Sequence, residues 1–196
     1  MATYVIHGKG TVGYAIALWA LAALIQIVSF LNGGLAEGLW ALPITAIIAL
    51  IGFVLFWNPR LEVSDSGLLV VNIVRTFHIP WKRLKEVENR YGLYLYTTDL
   101  PKKVGVWGVP SRAGLTHNPL KNEKDRESNQ LDWHADAGRY RRTIPLEHVA
   151  DNLRDRAREL AEKRSGSAQH SSMMVNSLNA GAIALALLLA VFVVIR

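Results

Sequence analysis

Cysteine does not occur among the 196 residues, so a disulfide framework, a thiol nucleophile and a thiolate metal site are all excluded. The six histidines show no HExxH or paired spacing, and the 15 glycines assemble into neither a phosphate loop nor a nucleophile elbow. The expectation is therefore a protein that is not an enzyme and holds no cofactor or metal. The cluster Asp132-Trp133-His134-Ala135-Asp136 contains one typical zinc ligand and is a poor metal site. Charge is also missing in blocks. Thr11 to Leu31, Leu39 to Trp57 and Leu178 to Ile195 lack Asp, Glu, Lys and Arg over 21, 19 and 18 residues. As helices at ~1.5 Å per residue they reach roughly 27 to 32 Å, close to the hydrocarbon thickness of a bilayer.

Three transmembrane helices are thus predicted, with an N-terminal hairpin over residues 1–57 (spans 11–31 and 39–57) and a C-terminal span within 178–196. A cleaved signal peptide ending near Ala36 is the rival reading, but its apolar core is too long and only Lys9 precedes it. The net charge of +6 is unevenly distributed: 20 of the 22 basic residues and 15 of the 16 acidic ones lie between Asn58 and Ser172. The positive-inside bias places residues 58–172 in the cytoplasm and the C-terminus outside, a multi-pass protein of the cell membrane. Gln26 is the most polar group of the first run and is expected to bond a neighbouring helix rather than line a transport path. Ala182, Ala186 and Ala190, four apart, form a smooth stripe suited to close helix packing or self-association, so a homo-oligomer is one possible partner state.

From Arg60 the pattern changes to short alternating runs broken by turn residues, including Asp65-Ser66-Gly67 and Pro80. Six strands are predicted up to Val109, joined by turns short enough to pair antiparallel, in a sheet that curls into a small barrel or folds into two layers. Residues 110–140 read as a mobile polar insertion containing KNEKDRESNQ. Leu146, Val149, Ala150, Leu153, Ala157, Leu160 and Ala161 share one face at a 3.6-residue period, predicting an amphipathic helix that covers the β layer. The domain would occupy residues 58–164, followed by a flexible linker over 165–177.

The entry Asn58-Pro59-Arg60, the hairpin Asp65-Ser66-Gly67, Val70 to Arg75, the corner Ile79-Pro80-Trp81 and the strand ending at Thr98 resemble the membrane-anchored, PH-domain-like proteins of actinobacteria. The resemblance covers residues 1 to about 110. It implies two N-terminal membrane helices before a mostly-β PH-like barrel closed by a C-terminal amphipathic helix, and no common reaction. Lipid-binding members of the wider group use a basic first hairpin for phosphorylated headgroups. Here that hairpin, Glu62 to Gly67, is acidic and hydroxylic, and a shared fold does not carry function.

Arg75, Lys82, Arg83, Lys85 and Arg90 form the densest basic series, a candidate for membrane lipids or a partner protein, set against the plain reading of a solvated face. Arg139, Arg141 and Arg142 form a second. Trp81, Trp107, Tyr94 and Tyr96 could line a peptide groove or fill the core. Regular aromatic platforms for nucleic acid are missing. The expected function is a non-enzymatic, membrane-anchored scaffold or adaptor that engages a membrane or envelope protein. An anionic-lipid-sensing module and an accessory subunit of a transporter or envelope-synthesis complex are the alternatives.

Overall fold

A computed structural model describes residues 2–8, 10–109, 129–133, 135–163 and 169–195. Most of the insertion expected over 110–140, along with Lys9 and His134, lies outside the described residues.

The chain opens with a strand, β1 (Ala2–His7), that enters the apolar helix α1 (Thr11–Gly52) through Gly8 and Gly10. A π-helical turn, Phe53–Trp57, prolongs the helix and delivers the chain to β2 (Arg60–Ser64), β3 (Gly67–Val71) and β4 (Arg75–Pro80). A 3-10 turn at Trp81–Arg83 leads to β5 (Leu84–Glu88), β6 (Tyr94–Thr97) and the two-residue β7 (Val104–Gly105). Then follow β8 (Gly138–Thr143), the amphipathic helix α2 (Leu146–Lys163), β9 (Ser172–Val175) and the second apolar helix α3 (Ser177–Ile195).

The three separate membrane helices expected from sequence are corrected to two candidate spanning helices, Thr11–Trp57 and Ser177–Ile195. Asn32 to Gly38, read as a loop, stays within the helical run, and Gly34 alone leaves helical geometry at φ 64°, ψ −153°. That conformation is open only to glycine and folds the run on itself. In a straight helix Trp19 and Ala49 would stand ~45 Å apart. Instead, Trp19 Nε1 donates to Ala49 O at 3.0 Å and the Trp19 and Trp57 rings lie 4.9 Å apart. Gln26 Nε2 donates to Gly38 O at 2.8 Å, and Thr45 Oγ1 donates to Gln26 Oε1 at 2.8 Å, so the amide bonds within the folded helix. Both ends of the run return to one sheet, because β1 and β2 pair directly with Tyr4 opposite Val63 and Ile6 opposite Leu61.

The expected barrel is also corrected: the strands form two open sheets, a six-stranded one ordered β8-β1-β2-β3-β4-β9 and a three-stranded one ordered β5-β6-β7. Two physical causes keep them apart. Pro80 has no backbone donor and the Trp81–Arg83 turn redirects the chain, so β5 does not continue the ladder from β4. The free edge of β4 is then taken by β9, with Thr76 opposite Met174 and Phe77 opposite Met173. β9 and the start of β8 fall in stretches that sequence had assigned to linker and insertion.

The core lies between the sheets. Tyr4, Ile6, Leu61, Val63, Leu68, Val70 and Ile79 supply one side, Val87, Leu95 and Val104 the other, and Val149, Ala150, Leu153 and Leu160 of α2 pack over them. Leu146 and Ala157 are half-buried on the same helix face, while the side chain of Ala161 lies outside the described residues. Arg156 of α2 is buried, stacks 5.0 Å from the Trp133 ring and pairs with Asp65 at 2.6 Å and Glu159 at 2.7 Å. That pairing commits the tip of the β2–β3 hairpin to a structural contact.

Candidate functional site

The sheet has a helix-side end and a far end. His7, Arg60, Val71, Arg75 and Val175 stand at the first; Ala2, Ser64, Gly67 and Pro80 stand at the second. Three asparagines fasten the helix-side end to both apolar helices. Asn179, fully buried in the first turn of α3, accepts from Asn58 Nδ2 at 2.8 Å and donates to Ile73 O at 2.9 Å and Val54 O at 3.3 Å. Asn176 donates through Nδ2 to Asn72 O at 2.8 Å, and its amide to Val74 O at 2.8 Å. A buried amide with all its partners present is a fixed joint, since breaking any bond would leave a desolvated donor or acceptor behind.

Above this joint lies a cleft of about 710 Å³, predominantly apolar, between the β3–β4 turn, the β6–β7 region and the top of α1. Asn72 frames it: its Nδ2 donates to Gly105 O at 2.7 Å and its Oδ1 accepts from the Trp107 amide at 2.8 Å. The Trp107 indole donates to Leu55 O at 2.8 Å, a carbonyl of the π-helical turn. Gly108 lets this loop pass the chain leaving α1, because a Cβ there would fall 2.6 Å from Pro59 O. Tyr14 and Phe56, 5.5 Å apart, form the floor. Tyr91 is 75 % exposed and Trp107 51 %, with Val74 also exposed on the rim. Arg75 and Lys103 are the charged residues of the lining, Lys103 resting 4.1 Å from the Tyr94 ring and 3.9 Å from Glu88. Arg75 has no carboxylate partner among the described residues. A partly open, apolar space with two cationic groups at its edge can hold an apolar segment flanked by negative charge.

The predicted basic series is dispersed by this geometry. Arg75 belongs to the cleft, whereas Lys82 and Arg83 sit past the opposite end of β4, roughly 17 Å away along the strand. Arg83 lies 3.7 Å from Asp99, which accepts from the Ser171 amide at 2.7 Å. Burial pushes the Asp99 carboxyl up, but the Ser171 hydrogen bond and Arg83 outweigh it and hold it below the usual range. Arg83 thereby ties the approach to β9. Lys85 is exposed on β5, and Arg90 stacks 5.2 Å from Tyr91 at the cleft rim. Of the predicted aromatics, Trp107 and Tyr94 line the cleft. Trp81 is core, with its indole donating to Ser64 O at 2.7 Å. Tyr96 donates to Glu88 at 2.8 Å, and that bond raises its phenol above the ordinary value. Ala182, Ala186 and Ala190 are half-buried on α3, which contacts α1. Tyr14, Phe56 and Asn72 escaped the sequence reading, because two sat inside apolar runs and the third looked like a strand residue. Among the described residues no group of three His, Asp or Glu comes together to hold a metal.

Residues 58–114 match a family model described as a bacterial PH domain. No curated protein and no solved structure matches the chain. The match runs from the chain's exit from α1 through β7, so a PH-domain-like fold accounts for that portion. β1, α1, β8, α2, β9 and α3 lie outside it.

Proposed function

We propose that this chain is a non-catalytic, membrane-anchored adaptor whose PH-like domain faces the cytoplasm and captures an apolar, acid-flanked segment of another membrane protein in the Tyr91–Trp107 cleft. Two apolar helices support the anchoring, and the surplus of Lys and Arg between residues 58 and 172 supports the inward orientation. The observation that carries the reading is the position of the cleft. Its floor is the top of α1, so a partner travelling in the same bilayer reaches it without leaving the membrane surface. Confinement to one surface raises the effective concentration of such a partner, and a modest cleft then suffices. The Arg75 and Lys103 rim favours a segment with acidic flanks. The helix stripe Ala182, Ala186 and Ala190 is proposed to seal α3 against α1.

The test uses the full chain in native membranes with a photo-crosslinking residue at Val74 or, separately, at Lys82. A single discrete membrane-protein adduct at Val74, lost in Arg75→Glu and absent at Lys82, is expected. Equal labelling at both positions, or an adduct unaffected by Arg75→Glu, contradicts the reading.

A further inference from the structure

A second recess, of about 450 Å³, lies on the opposite face of the large sheet, where the helix ends meet strands β1, β2 and β8. Its chemistry differs from that of the cleft. Arg60, Arg139 and Arg141 converge there, with Phe53, Trp57 and Leu178 supplying an apolar wall. One carboxylate serves two of the three cations: Glu62 accepts from Arg60 at 2.7 Å and from Arg139. Arg60 is further held by Asn58 O at 3.0 Å and Asn58 Oδ1 at 2.9 Å. Arg141 has no carboxylate partner among the described residues and rests over the Trp57 ring at 5.4 Å. Three guanidinium groups against one carboxylate leave an uncompensated positive recess.

An independent observation points to a ligand. His7 lines the same recess, is only 3 % exposed, and its Nδ1 has no hydrogen-bond partner. An unpartnered buried ring nitrogen is costly, and in a neutral imidazole whose other nitrogen donates to the Trp57 carbonyl it is an acceptor that a headgroup hydroxyl could satisfy. Burial first, and then Arg141 and Arg60, lower the His7 pKa, so the ring is neutral at neutral pH and adds no charge of its own.

Alternation along the strands creates the recess. His7 and Val5 in β1, Arg60 and Glu62 in β2, and Arg139 and Arg141 in β8 all point away from the core face defined by Tyr4, Ile6 and Leu61. β8 runs parallel to β1 and brings its arginines beside a helix end more than 80 residues earlier in sequence.

We infer that this recess binds the phosphate of an anionic phospholipid headgroup, with Arg139 and Arg141 gripping its oxygens and Phe53, Trp57 and Leu178 meeting the first acyl carbons. Guanidinium groups match phosphate oxygens in planar, paired hydrogen bonds. The apolar wall is formed by the ends of the two candidate membrane helices, which favours a lipid over free phosphate as the source. The inference rests on the membrane reading above and is independent of the protein-binding cleft.

The test uses the full chain in a neutral maltoside detergent, titrated with short-chain phosphatidylglycerol, short-chain phosphatidylcholine or inorganic phosphate and followed by thermal shift and intrinsic Trp fluorescence. Phosphatidylglycerol is expected to stabilise the protein and perturb the Trp57 signal, with phosphatidylcholine and phosphate weaker. Arg139→Gln with Arg141→Gln should weaken phosphatidylglycerol binding roughly 10- to 30-fold. Arg139→Lys with Arg141→Lys should lose less, and Lys82→Gln with Lys85→Gln nothing. The unliganded melting temperature of each variant reports whether it folds, and the Lys pair carries the test should the Gln pair fail. An equal response to inorganic phosphate supports the oxyanion site while assigning it a soluble ligand. Binding unchanged in the Gln pair, or identical for phosphatidylglycerol and phosphatidylcholine, overturns it. Recovery of the chain in the aqueous fraction without detergent defeats the membrane reading instead, and that measurement is made separately.

Discussion

At the scale of single residues, the buried polar groups do more to define this protein than its apolar ones. Asn179 joins three segments, the end of α1, the β3–β4 turn and the start of α3, through side-chain bonds to Asn58, Val54 and Ile73. Removing it leaves Asn58 Nδ2 and Ile73 O desolvated and unpaired. Asn179→Ala is expected to destabilise by about 1–3 kcal/mol, seen as a fall in melting temperature of the detergent-solubilised chain. Asn58→Ala should cost a similar amount and the double variant less than the sum, because both changes break one shared bond. His7 makes a pH prediction. Its folded pKa lies below the ordinary 6.5, owing to burial and to Arg141 and Arg60, with Glu62 and the Trp57 carbonyl opposing. As pH falls below about 6.5 the unfolded chain takes up a proton that the folded chain refuses, so this contribution is intact above that pH and is lost on acidification. Wild-type melting temperature should therefore drop more steeply between neutral and mildly acidic pH than that of His7→Gln. Parallel profiles would show that His7 does not titrate as described.

Among the elements, α1 shows how a local exception governs a long segment. A mean apolar character on all faces suits lipid, but gives no instruction about direction. Gly34 supplies that instruction through a backbone geometry closed to other residues. The fold-back is checked directly in this cysteine-free chain. A Cβ on Gly52 would lie 3.3 Å from Leu18 Cβ, near the separation found in disulfides. Leu18→Cys with Gly52→Cys should oxidise to an intramolecular crosslink that shifts mobility on a gel, while Leu18→Cys with Leu35→Cys, which leaves Gly34 in place, should not. β9 is the counterpart among strands. Ser172–Val175 is exposed throughout and carries no alternation, so nothing in its pattern marks it as a strand. It pairs because the β4 edge is vacant and α3 begins two residues later.

For the whole molecule, the PH-like segment is incomplete by itself. β1 lies between β2 and β8 in the large sheet and contributes Ala2, Tyr4 and Ile6 to the core, yet it precedes the matched residues by the whole apolar helix α1. Tyr4 also stacks on Tyr140 at 5.5 Å and donates to Asp132 O. A fragment of residues 58–176, which keeps β9 but lacks β1, should consequently expose Leu61 and Val63 at a raw sheet edge and aggregate. Joining residues 2–8 to residue 58 through a short flexible linker in place of 9–57 should restore a monomeric, cooperatively melting domain. Equal folding of both fragments, by circular dichroism and gel filtration, would mean that β1 is dispensable.

The apolar runs, the positions of β2 to β6 and the buried face of α2 can be read from amino-acid order alone, because each is written in a local period: unbroken, two-residue or 3.6-residue; the three membrane helices those runs predict are two candidate spans in the structure. The separation of the sheets, the membership of β1, β8 and β9, the fold-back at Gly34 and both recesses were decided only in the tertiary structure. Those features depend on which edge is left vacant and on which distant groups meet there. Arg75 and Lys82 are seven residues apart, but one begins β4 and the other lies in the turn past its far end, while His7 and Arg141 are far apart in the chain and line one pocket. Local periodicity fixes which way a side chain points along its own strand; only strand pairing determines what it faces.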